Sequence, residues 1–203
     1  MAAGKIQILA FVGAPASGKT EAANVARELG IPVVTMGDVV REEVRRRGLE
    51  PNDENTGRVA SELRAKEGMD AIAKRCIPLL KQYFSERGER NEQAKKKSSS
   101  PPIVVVDGIR GLAEVETFKR AFGENFMLVG IQAPLEIRYK RVRARRRSDD
   151  FLSFEEFKRR EEREKSWGMD EAMRIADKIV KNEGSLEDFK REIRRILRDL
   201  LSS

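Results

Sequence analysis

Short apolar runs alternate along this chain with longer segments whose apolar residues recur at helical spacing. Residues 6–12 form a mostly apolar run closed by Gly13, the pattern of a strand buried on both faces of a parallel sheet. A helix over 21–29 stops at Gly30. Residues 32–35 read as a second strand, and Asp38 is placed to cap a helix running to about Arg47, closed by Gly48. Helical spacing returns over 52–66, up to Gly68, and again over 70–84, where Pro78 is expected to kink or split the helix. No apolar period survives over 85–102, which predicts a flexible surface insertion. Strands follow at 103–107, 126–131 and 177–182. Helices are predicted over 112–122, over 134–147 with Pro134 at its first turn, over 154–165 and 170–176, and from a Ser185 cap to Leu201.

Strands alternating with helices define an α/β chain built on a parallel sheet. No internal repeat interrupts the pattern. Composition then narrows the picture. Charged residues make up 37% of the 203, against about a quarter in an average domain. With the apolar residues in clear blocks, that excess predicts a helix-rich surface laced with ion pairs, a feature of heat-adapted proteins. The net charge of +7 attracts phosphates, which nucleotides and nucleic acids share. Cys76 is the one cysteine, so no disulfide forms within the chain, and its apolar flanks place it in the core. There is no histidine. Catalysis must then rest on Lys, Arg, Asp, Glu, hydroxyls, backbone amides or a metal. No apolar run is long enough to span a bilayer, and the first residues lack the pattern of a secretory signal, so a cytoplasmic location is expected.

The most specific motif is Gly13-Ala14-Pro15-Ala16-Ser17-Gly18-Lys19-Thr20, which matches G-x-x-x-x-G-K-[ST] between a buried strand and a helix. The glycines allow a tight turn whose amides point into a concavity, and the helix N-terminus adds its dipole. Lys19 is placed to neutralise the β- and γ-phosphates of ATP, and the Thr20 hydroxyl to hold Mg²⁺. Asp107 closes the third strand on the ligand side of such a sheet and is a second candidate for Mg²⁺.

Two further strand ends carry arginines. Thr35-Met36-Gly37-Asp38-Val39-Val40-Arg41 follows the second strand, and Asp107-Gly108-Ile109-Arg110 the third. Two such forks can grip one phosphate. These stretches resemble nucleoside monophosphate kinases, adenylate kinase in particular. The first looks like that family's T/S-G-D-x-x-R stretch, and the second like its D-G-F/Y-P-R stretch, with Ile-Arg replacing Phe-Pro-Arg. The resemblance implies that Arg41 and Arg110 bind the acceptor's phosphate, with Met36, Gly37, Asp38 and Gly108 beside them. Glu114 falls where the family has an adenine-reading glutamine, but a carboxylate donates no hydrogen bond unless protonated.

Residues 138–147 hold seven basic residues in ten, and Arg141 and Arg145 share one helix face. In the family an R-x-x-x-R pair opens the lid over ATP, and Arg160 and Arg163 match the arginines that return to the transferring phosphoryl group. The same run also reads as a solvated basic face or as a nucleic-acid patch. Trp167 reads as a packing aromatic beneath the lid. Over nearly its whole length the chain is similar to archaeal adenylate-kinase-related proteins described as dephospho-CoA-kinase-like. The features that carry this likeness are Asp107 to Arg110, Ala113 to Glu116, Arg160 to Glu164, Trp167-Gly168, Ala176-Asp177 and Asn182.

The resemblance implies a single three-layer P-loop kinase-like domain over 1–203, with a five-stranded parallel sheet in the order 2-3-1-4-5. It places an acceptor-binding helical part at about 37–86 and a short lid at about 141–163. The expected function is transfer of the γ-phosphate of Mg-ATP to a phosphate-bearing small acceptor such as AMP or dephospho-CoA. A P-loop ATPase acting on RNA or in assembly, and a nucleotide-binding pseudo-kinase, are the competing readings.

Overall fold

The computed structural model describes residues 7–93, 103–145 and 153–202. In chain order the elements are β1 (Gln7–Val12), α1 (Lys19–Glu28), β2 (Val33–Thr35), α2 (Met36–Arg46), α3 (Asp53–Glu67), α4 (Ala71–Gln93), β3 (Ile103–Asp107), α5 (Leu112–Phe122), β4 (Phe126–Gln132), α6 (Leu135–Arg145), α7 (Phe154–Ser166), α8 (Met169–Arg174), β5 (Lys178–Lys181) and α9 (Leu186–Ser202). The five strands are parallel and ordered β2-β3-β1-β4-β5, as the resemblance implied.

The period of two along β1 explains the layers. Ile8, Ala10 and Val12 face one core, shared with α2, α4 and α5. Leu9 and Phe11 face another, shared with α1 and α9. Successive side chains of a strand point to opposite faces, so β1 is apolar throughout because both of its faces are covered. Register aligns the strand ends that matter: Thr35 on β2 pairs with Asp107 on β3, and Asp107 pairs with Phe11 on β1. The strands are parallel, so the loops that follow them all open at the carboxyl end of the sheet.

Several element boundaries differ from the sequence reading. Helix α2 begins directly at Met36, so Thr35 is its N-cap residue and Asp38 lies in the first turn instead of capping it. The Asp38 carboxylate binds Arg41 one turn on. Helix α4 is neither split at Pro78 nor finished at residue 84; it continues to Gln93. Ala71, Ile72, Cys76 and Leu80 anchor it in the core on both sides of the proline. Pro78 itself is exposed, where water can serve the carbonyl that lost its helix bond. Residues 94–102, the remainder of the expected insertion, lie outside the described residues. Caps mark other boundaries: Asn52 accepts from the Asn55 amide at 2.9 Å, Ser153 and Glu156 form a reciprocal capping box, and Ser185 accepts from the Asp188 amide at 3.1 Å.

Candidate functional site

The 13–20 loop leaves β1 and enters α1 through backbone that favours glycine. Gly13 has φ of 156°, Gly18 119°, and Ala16 between them 61°. Side chains at the two glycines would run into the Ile131 carbonyl and the Asn182 side-chain amide respectively. The Lys19 ammonium folds over its own loop and donates to the carbonyls of Gly13 at 2.5 Å and Ala14 at 3.0 Å. The Ser17 hydroxyl is fully buried and has no hydrogen-bond partner, while Thr20 is exposed.

Asn182, just past β5, clamps this loop. Its amide nitrogen donates to the Ser17 carbonyl at 2.7 Å. Its side-chain and backbone oxygens accept from the Arg141 guanidinium at 2.9 and 3.0 Å. The other terminal nitrogen of Arg141 is buried without a partner, and burial lowers that group's pKa. Arg138 holds the loop from the other side. It donates to the Pro15 carbonyl at 3.2 Å, to the Ala133 carbonyl at 2.9 Å and to Glu161 on α7 at 2.9 Å. Arg145 ends α6, and Arg160 and Arg163 lie on α7.

Asp107 is 9% exposed at the end of β3. Burial pushes its pKa up, against the pull of Lys19, Arg27 and Arg110. A hard divalent cation takes oxygen ligands, so the Thr20 hydroxyl and Asp107 carboxylate suit Mg²⁺ chemically. Among the described residues no group of three or more metal-binding side chains exists. A Mg²⁺ ion here would draw its other ligands from phosphates and water.

Gly108 (φ 107°) packs on Met36 and the Gly37 amide, which brings the β2 and β3 end loops together. Arg41 donates to the Asp38 carboxylate at 2.5 and 3.1 Å. Arg110 donates to Glu164 of α7 at 2.6 Å. Glu114 is buried beneath them. Its two oxygens accept from Arg64 at 3.1 Å and from the Arg110 amide at 2.7 Å, and burial raises its pKa. Arg64 in turn stacks over Trp167 at 4.8 Å, so this tryptophan packs on a cation at the end of α7. An open cleft of about 590 Å³ borders the end of β2 and the start of α2 through Thr35 and Asp38, between α2 and α4.

Sequence reasoning did not find the roles of Arg138, Asn182, Arg64, Glu161 or Glu164. One signal was present: Phe157, Glu161 and Glu164 fall at helical spacing on one buried stripe of α7.

A five-stranded parallel sheet in this order, with a G-x-x-x-x-G-K-T loop after its central strand, is a P-loop kinase-like fold. Solved structures agree on the fold. A dephospho-CoA kinase from Campylobacter jejuni is similar at a TM-score of 0.52, with 16% identity over 97% of this chain and 98% of its own. A shikimate kinase from Acinetobacter baumannii is similar at 0.54, with 17% identity over 97% and 94%. The model of an AAA domain matches residues 12–158. A protein of Methanosarcina barkeri is 50% identical over 97% of both chains. One of Archaeoglobus fulgidus, with UPF0200 and UPF0201 both in its name, is 58% identical over 95% of this chain, which spans 55% of that relative's length. The chain belongs to the UPF0200 family, within the AAA-domain group of P-loop proteins. Among the described residues no helix is long and apolar enough to cross a membrane.

Proposed function

We propose that the protein is an ATP-dependent phosphotransferase of the nucleoside monophosphate kinase type, acting on a phosphate-bearing small acceptor such as AMP or dephospho-CoA. The observation that carries this reading is the register of β1, β3 and β2. It sets the 13–20 loop, Asp107 and the Met36–Arg41 stretch side by side at the carboxyl end of the sheet.

In this reading the amides of Gly13 to Gly18 cradle the donor's phosphates, and Lys19 leaves its own loop carbonyls for the β- and γ-phosphate oxygens. Thr20 and Asp107 hold Mg²⁺, which when bound supplies neutralising charge to the phosphates. Arg141, oriented by Asn182, and Arg145 lie against ATP, while Arg160 and Arg163 reach the transferring group. Arg41 and Arg110 receive the acceptor's phosphate, with Met36, Gly37, Asp38, Gly108 and Glu114 shaping the site. A phosphate acceptor attacks as an oxyanion, so the lack of histidine is no handicap. Phosphoryl transfer asks of the protein mainly position and electrostatics.

The test is an acceptor screen (AMP, other nucleoside monophosphates, dephospho-CoA) with ATP and Mg²⁺, following ADP release. ADP formation that depends on one acceptor supports the proposal. The second reading is a P-loop ATPase that uses the basic run over 138–147 on nucleic acid. ADP release without any acceptor, together with steeply salt-dependent RNA binding, would replace the first reading with that one.

A further inference from the structure

Helix α7 reaches both halves of the site through two buried carboxylates one turn apart. Glu161 pairs with Arg138, which holds the Pro15 carbonyl of the phosphate loop. Glu164 is 3% exposed and pairs at 2.6 Å with Arg110 on the β3 end loop. The same end of α7 is packed closely there. The Trp167 carbonyl lies where a side chain at Gly111 would be, and the Trp167 ring lies under Arg64.

Arg110 is the unusual member of this set. Its side chain is 39% exposed, although its carboxylate partner is almost fully buried. The guanidinium therefore presents an open side toward solvent while its Nη1 is held from within. An incoming anion meets the exposed side of Arg110 and competes there with a carboxylate already in place.

We propose that Glu164 is a built-in competitor for the acceptor's anion at Arg110, so that the site admits acceptors through a dianionic phosphate group and discriminates against carboxylates. This rests on the proposed role of Arg110 as an acceptor ligand. The Glu164 carboxylate is tethered next to Arg110, so its effective concentration there is high. A free monocarboxylate offers the same chemistry without the tether and loses. A phosphate dianion carries twice the charge and three acceptor oxygens, and forms the stronger forked pair with arginine. Once phosphate takes the fork, a buried carboxylate is deprived of its Arg110 partner, which loosens the contact between α7 and the β3 end. Acceptor binding is thereby coupled to α7, whose Glu161 holds Arg138 against the phosphate loop. A small-molecule hydroxyl acceptor lacking phosphate gains nothing from this arrangement.

The experiment uses the full chain with its donor site filled by a non-hydrolysable ATP analogue and Mg²⁺. Inorganic phosphate is titrated by calorimetry into the wild type, Glu164→Gln, Arg110→Ala and the double variant. Competition predicts that Glu164→Gln binds phosphate roughly fivefold or more tightly, that Arg110→Ala loses this binding, and that Glu164→Gln has no effect in the Arg110→Ala background. Unchanged or weaker phosphate binding in a folded Glu164→Gln protein overturns the proposal. If Arg110→Ala binds phosphate as the wild type does, the acceptor site is misplaced and the functional reading fails with it. If Arg110→Ala loses phosphate while Glu164→Gln changes nothing, that reading stands and only the competition is refuted.

A second measurement needs no variant at position 164. Trp167 is the chain's one tryptophan and sits three residues past Glu164. Its fluorescence should change along the phosphate titration of the wild type and stay flat in Arg110→Ala. Acetate at equal concentration should leave it unchanged. An equal response to acetate, or no response to bound phosphate, overturns the proposal.

Discussion

The side-chain amide of Asn182 donates to the backbone carbonyl of Ser17 at 2.7 Å, and its oxygen accepts from Arg141 at 2.9 Å. One residue past β5 therefore sets the shape of the phosphate loop and the position of Arg141 together. Replacing Asn182 with Ala strips both partners. Losing a buried hydrogen bond of this kind costs about 1–3 kcal/mol, so a clear fall in denaturation midpoint is expected. Nucleotide affinity should fall with it in calorimetry. Asn182→Asp keeps an acceptor for Arg141 but removes the donor to Ser17. Its nucleotide affinity should also fall; wild-type affinity in Asn182→Asp would show that the loop holds its shape without the clamp.

Lys19 rests on carbonyls of its own loop. Lys19→Ala should weaken ATP binding at least roughly tenfold, as expected for loss of charge-assisted bonds, and remove phosphotransfer. Melting should move little by comparison, because the ammonium is no part of the core. Unchanged ATP affinity in calorimetry would sink the donor-site assignment.

Gly111 needs no unusual backbone angle, since its φ of −165° is ordinary extended chain. It needs the absence of a side chain, because the Trp167 carbonyl occupies that space. Gly111→Ala should destabilise the protein by about 1–3 kcal/mol, the usual cost of overpacking. Denaturant unfolding checks this, and Trp167 fluorescence should shift in the folded variant.

Asp107 is a buried acid whose pKa is raised by loss of solvent. Its ionised form is the costly one in the fold. The stability associated with the protonated form is therefore present at low pH and lost as pH rises through the folded pKa. Asp107→Asn imitates the protonated form at every pH. The variant should melt higher than the wild type near neutral pH, with the gap closing in acid. Its nucleotide affinity should respond less to Mg²⁺ than that of the wild type. A variant that melts lower contradicts the raised pKa, and one that keeps the full Mg²⁺ response contradicts the metal role.

Cys76 is fully buried in α4, and burial, with Glu114 adding to it, pushes its thiol up to about 12. The thiolate is the reactive species. Native protein should resist thiol reagents at pH 8 and react promptly once unfolded. Labelling at the native state with a rate close to that of a free thiol would mean that α4 opens locally.

Much of this site was readable along the chain, for a definite reason. The strands and the Gly13–Thr20 loop depend on neighbouring residues, so periodicity and spacing report them. The ends of α2 and α4 escaped that reading. The β2–β3 ladder has its last pair at Thr35 and Asp107, so α2 starts at the next residue, and α4 passes Pro78 because its core residues hold both halves. Glu161 and Glu164 sat in a charged helical run whose one hint was their spacing from Phe157, and Arg64 offered no local signal.

What the sequence determined by itself is the alternation of strands and helices, the phosphate loop, and the presence of arginines after two strands. The tertiary structure decided which charges meet. Arg64 pairs with Glu114 across 50 residues, Arg110 with Glu164 across 54, and Asn182 with Ser17 across 165. Local patterns carry no record of such distances, because a buried ion pair and a solvated charge are written with the same residues. Only packing brings the partners together and removes the water between them.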